Sequence, residues 1–130
     1  TNDGLGPFTL KDYRPAGVTD VWDASTNLFD FTELKNGDMV DIRLDVSVTT
    51  TAPNQLIEID LEVAVGGSSY LIPFVEIAYK TAGTHNINRY NGLYMGDDNT
   101  RLNGARFVIR SDAAATCVVN GWYTKVLIRG

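Results

Sequence analysis

One cysteine and one histidine stand in a chain of 130 residues, and no apolar run approaches the length needed to cross a bilayer. Cys117 has no second cysteine for an internal disulfide, which fits synthesis in a reducing cytoplasm. His85 leaves Ser-His-Asp or Cys-His catalysis a single candidate base. A membrane-spanning helix needs roughly 18 apolar residues in a row, so none is expected. The opening TNDGLGPFTL has neither a basic start nor an apolar core, so no signal peptide is expected either. Basic side chains number 11 against 16 acidic ones, a net charge of -5 that repels a phosphate backbone. Neither nucleic acid nor a membrane is therefore expected as a partner. Helical periodicity is missing too, and with it any reason to expect a convincing helix.

Alternation takes its place. Val40, Ile42, Leu44, Val46 and Val48 are interleaved with Asp41, Arg43, Asp45, Ser47 and Thr49; Ile57, Ile59, Leu61, Val63 and Val65 are interleaved with Glu58, Asp60 and Glu62. A period of two sends one set to a core and the other to water, the mark of an antiparallel sheet with one buried face. Further strands are expected over Val18 to Trp22, Leu28 to Leu34, Ser69 to Lys80, His85 to Tyr90, Ala105 to Ser111 and Thr116 to Arg129, separated by Gly-, Asn-, Asp- and Pro-containing turns. Apolar parity slips at Pro73, which cannot donate to a ladder, so an edge position or a bulge is expected there; Asn120-Gly121 reads as a second bulge. The fold class is all-β: a two-sheet antiparallel sandwich, a jelly roll of about eight strands over residues 18–130. Residues 1–17, with Gly4, Gly6, Pro7, Pro15 and Gly17, read as an extended arm. Its Phe8, Leu10 and Tyr13 can dock on this subunit's core or on a neighbour.

Each candidate for chemistry has a structural reading beside it. His85 sits among Thr84, Asn86 and Asn88 and reads as a surface residue at a strand end. Cys117 lies in an apolar strand, where a thiol acts as a small hydrophobe. Asp97-Asp98-Asn99 offers oxygens to a cation, but Arg101 stands where an EF-hand would place its third ligand. Asp41 and Asp45 with Glu58, Asp60 and Glu62 could supply a glycosidase pair, yet even spacing on two alternating strands reads as a solvated outer face. Trp22, Tyr70, Tyr79, Tyr90, Tyr94, Trp122 and Tyr123 suit a sandwich interior, an oligomer interface or a sugar platform. No catalytic residue, metal or cofactor is expected.

Asn91-Gly92-Leu93-Tyr94-Met95-Gly96-Asp97-Asp98, Asn103-Gly104-Ala105-Arg106-Phe107, Ser111-Asp112-Ala113-Ala114, Gly121-Trp122-Tyr123 and the terminal Val126-Leu127-Ile128-Arg129-Gly130 together resemble small jelly-roll proteins of tailed bacteriophage virions. The resemblance implies a TNF-like or C1q-like trimer located in the virion and made in the host cytoplasm. It would serve as a capsid decoration (cement) protein on the major capsid protein, or as the receptor- or carbohydrate-binding head of a tail fibre. The chain has no shaft or coiled-coil segment, which favours decoration. Phe8, Leu10, Tyr13, Trp22, Tyr94, Trp122 and Tyr123 are the expected assembly residues.

Overall fold

A computed structural model describes residues 21–23 and 25–129. Its eight strands are β1 (Trp22–Asp23), β2 (Leu28–Phe29), β3 (Met39–Thr50), β4 (Gln55–Val63), β5 (Tyr70–Tyr79), β6 (Gly83–Tyr94), β7 (Ala105–Ser111) and β8 (Ala115–Leu127), with one short helix, α1 (Asp98–Leu102), between β6 and β7. They form a five-stranded sheet in the order β1-β2-β7-β4-β5 and a three-stranded sheet in the order β6-β3-β8. All pairings are antiparallel. The pairs nest: β4 with β5 innermost, β3 with β6 around it, β2 with β7 around that. One long hairpin folded over into two layers produces this order, which is the jelly-roll form of the sandwich.

Alternation fixes which side is buried. Val40, Ile42, Leu44, Val46 and Val48 from β3 meet Ile57, Ile59, Leu61 and Val63 from β4 in one core. Phe29 ties the layers together at one end: its ring lies 5.1 Å from Trp22, 5.9 Å from Phe107 and 6.2 Å from Trp122. Both expected bulges are present. The β4/β5 register shifts between Ile59 and Asp60, opposite Pro73 to Val75, and β5 is also a sheet edge. The β3/β8 register shifts between Asp45 and Val46, opposite Asn120.

Local chemistry overrode alternation in three places. The strand expected over Leu28 to Leu34 stops at Phe29, because the Asp30 carboxylate accepts from the Thr32 backbone N–H at 2.9 Å and its hydroxyl at 2.7 Å, turning the chain. The β6 strand runs on through Asn91 and Gly92 to Tyr94, since β3 is long enough to pair its whole length. The polar loop after it winds into α1, where Asp97 caps the helix by accepting from the Thr100 N–H at 2.8 Å. Gly104, at φ +76°, then makes the turn into β7, and a side chain there would crowd Leu28.

Candidate functional site

The expected assembly residues fall into separate groups. Phe8, Leu10 and Tyr13 lie outside the described residues. Trp22 and Trp122 meet edge to face at 5.1 Å and, with Phe29, Leu44, Phe107 and Val119, line a cavity of about 440 Å³ where the five-stranded sheet passes the end of the three-stranded one. Tyr94 and Tyr123 stand elsewhere, on the outer face of the three-stranded sheet.

That face is built in cross-strand rows, because β3 pairs with β6 on one edge and β8 on the other. One row is Tyr94, Met39 and Leu127; the next is Gly92, Asp41 and Lys125; the third is Tyr90, Arg43 and Tyr123. Tyr90 is 72% exposed, and Met39, Tyr94 and Leu127 are exposed as well. Arg43 lies 5.5 Å from the Tyr123 ring centroid and donates to Asp45 at 3.2 Å. Hydrogen bonds to the Tyr123 hydroxyl and the Asp45 carboxylate hold the Arg43 pKa above its ordinary value, so the cation is fixed in the row. Glycine at position 92 keeps the middle row low, and the Asp41 and Met39 side chains pack over it. Sequence parity placed Arg43 on an outer face; only pairing set it between the tyrosines of two other strands and put Met39 and Leu127 in a row with Tyr94.

The other candidates occupy structural roles. His85 is not a free surface residue: its parity matches Ile87, so it turns inward at the sandwich rim, stacks on Tyr79 at 3.7 Å between ring centroids and lies 3.2 Å from the Thr50 hydroxyl. Burial raises the Tyr79 pKa. Cys117 is half-buried in β8, and desolvation pushes its thiol up, against nucleophilic use at neutral pH. The carboxylates of β4 do not form a row of solvated charges. Arg110 bridges Glu58 at 3.1 Å and Asp60 at 2.9 Å, Arg106 pairs with Glu62 at 2.8 Å, and Asp60 is buried. The reason is that β4 is a central strand, and β7 beside it brings arginines to the same face.

Asp97, Asp98 and Asn99 are engaged by the protein itself: Asp97 caps α1, Asp98 pairs with Arg101 at 3.1 Å and Asn99 bonds both backbone groups of Ser68. The Arg101 and Asn36 hydrogen bonds hold the Asp98 carboxyl below its usual range. Among the described residues, no three His, Cys, Asp or Glu side chains converge in a way that could hold a metal ion. Gln55, read from sequence only as the end of a turn, is buried. It accepts from the Thr51 and Ala52 N–H groups and donates to Ser111, Ala113 and Ala114, locking two loops together.

In comparisons with known proteins, no family model, no curated protein and no solved structure matches this chain.

Proposed function

We propose that this chain is an assembly subunit that joins copies of itself and a larger structure through the outer face of its three-stranded sheet. The observation that carries this reading is the pair of rows Tyr90, Arg43, Tyr123 and Tyr94, Met39, Leu127, set on one face on either side of the row Gly92, Asp41, Lys125. Tyr, Arg and Met are the residue types enriched at protein interfaces, and Met39, Tyr90, Tyr94 and Leu127 expose large side chains on this one face. Closed symmetry would bury the same face once per copy, and the resemblance to phage jelly-roll proteins makes that closure a trimer. On the same resemblance, the larger structure is a virion and the subunit a decoration protein bound to the major capsid protein.

A second reading rests on the same face. Tyr90, the most exposed aromatic among the described residues, pairs with Arg43 and has Asn88 two residues away on its own strand, and a ring bordered by hydrogen-bonding groups also suits a sugar. Light scattering on the wild type and on Tyr90→Glu separates the two. An assembly face gives a mass three times the 14.3 kDa chain, falling toward one chain in the variant with unchanged circular dichroism. Wild-type protein that stays monomeric at micromolar concentration, fails to decorate purified capsids and is retained on glycan arrays through Tyr90 would replace assembly by recognition.

A further inference from the structure

The outer face of the three-stranded sheet changes character along its length. Beyond the tyrosine rows, β6, β3 and β8 present the row Asn88, Asp45, Gly121, then Asn86, Ser47, Val118, then Thr84, Thr49, Thr116. A directional chain of hydrogen bonds crosses all three strands here. Asn120, at the bulge, donates through Nδ2 to the Ser47 hydroxyl at 2.8 Å, and that hydroxyl donates to Asn86 Oδ1 at 2.7 Å. One row on, the Thr49 and Thr84 hydroxyls meet at 2.9 Å. The chain leaves Asn86 Nδ2 at one end and Asn120 Oδ1 at the other without a partner among the described residues, and the exposed Asn88 carboxamide has none there either. Val118, 54% exposed, lies beside Ser47. The charged side chain in these rows, Asp45, is taken up by Arg43 at 3.2 Å.

We propose that this strip binds an uncharged oligosaccharide, with sugar hydroxyls on the Asn86, Asn88 and Asn120 carboxamides and the apolar face of a ring over Val118. Charge selects the class. With Asp45 neutralised by Arg43, these rows hold no free cation for a phosphate, sulfate or uronate, and an uncharged ligand gives up no ionic hydration on docking. Hydrogen-bonding capacity narrows it further, because a carboxamide sets donors beside an acceptor and a sugar hydroxyl both gives a proton and accepts one. The chain of bonds sharpens both ends. Ser47 donating into Asn86 Oδ1 polarises the Asn86 N–H groups, and donation from Asn120 to Ser47 polarises the Asn120 oxygen. Amides already held in this way lose little freedom when a ligand arrives. Protein is the poorer match, since interface cores draw on aromatics, Met and Arg and are depleted in Ser, and these three rows contain none of the former. From β6 to β8 the strip is two strand spacings wide, about 10 Å, so an oligosaccharide rather than a single ring reaches both ends. The inference does not need Tyr90 and does not depend on assembly through the tyrosine rows.

The test is a titration of the isotopically labelled full chain with hexaoses of glucose, mannose, galactose and N-acetylglucosamine at millimolar concentration, followed by nuclear magnetic resonance. At least one of them should shift the side-chain amide signals of Asn86, Asn88 and Asn120 and the backbone signals of Ser47 and Val118. Asn86→Ala and Asn88→Ala, both at exposed positions, should each weaken that binding about tenfold. Ser47→Ala, which touches the ligand less than it orders the amides, should weaken it too, while all three variants keep the wild-type circular dichroism. The wild-type footprint stands by itself if a variant fails to fold. No shift with any of the sugars would overturn the proposal, as would shifts centred on Tyr90 and Tyr123 that survive Asn86→Ala, or tighter binding of an oligouronate than of the neutral sugars. Light scattering separates this site from assembly: an unchanged mass for Asn86→Ala is expected whatever the wild-type mass is, and a mass that falls would overturn the proposal in favour of a contact between copies.

Discussion

In β3 and β4 the side chains aimed at the opposite sheet are sealed, Val48 and Ile57 completely; in β7 and β8 the side chains with the same orientation, Ile109 and Val119, keep about two fifths of their surface in water. The residue types are alike and the pairing is equally regular. The central strands β3 and β4 have a neighbour along each edge and a layer across, whereas β8 ends its sheet among the described strands and β7 meets β2 only at the Phe29/Ala105 pair. Burial of an apolar residue is thus a property of what lies beside its strand, and a beta-branched side chain on core parity marks a surface that needs covering.

Truncation tests that contrast most strongly. Leu44→Ala or Leu61→Ala should cost about 2 to 5 kcal/mol in urea unfolding, since each removes a side chain from the sealed core. Ile109→Ala should cost about 1 to 2 kcal/mol, in keeping with its half-exposed position. An equal loss at Ile109 would mean that its side chain is fully buried in solution, whereas an unchanged midpoint for Leu61→Ala would invert the assigned faces.

A smaller effect separates the two ends of the β4/β7 ion-pair ladder. Arg110→Met removes the cation beside Asp60, whose side chain is only 10% exposed, and should cost about 1 to 2 kcal/mol even with Arg110 itself largely in solvent. Arg106→Met, which frees the more exposed Glu62, should stay within about 0.5 kcal/mol. Denaturant midpoints at neutral pH measure both, and equal losses would mean that Asp60 is no more desolvated than Glu62.

The smallest effect is acidic. The folded Asp98 carboxyl titrates below the unfolded value of about 3.9, so its contribution is fully present above that pH and is lost as pH falls through the lowered folded value. Asp98→Asn should therefore leave a shallower decline of stability below pH ~4 than wild type. Parallel acid titrations followed by tryptophan fluorescence would sink this if the two curves coincide in slope.

Much of the sandwich was legible because β3 and β4 carry period-two patterns over 12 and 9 residues, and because Pro73 and Asn120-Gly121 announce bulges through backbone chemistry alone. The helix after β6 was hidden: five residues are too few for a helical period, and the sign that remained, Asp97 ahead of Thr100, is also the sign of a turn. His85 misled because its polar sequence neighbours project to the other face of the strand, while its own parity belongs to the core.

By itself the sequence determined the all-β class, the buried faces of the long strands and the positions where the ladders slip, since these follow from side-chain period and from what proline and glycine permit locally. Only the tertiary structure decided which strands lie side by side. That pairing set Arg43 between Tyr90 and Tyr123, set Arg110 beside Asp60, and left Val119 and Ile109 half-exposed. The physical reason is that period two fixes a face, while the partner across a ladder lies far away in sequence: in the β3/β8 register Thr50 pairs with Ala115, 65 positions on, and Met39 with Leu127, 88 positions on.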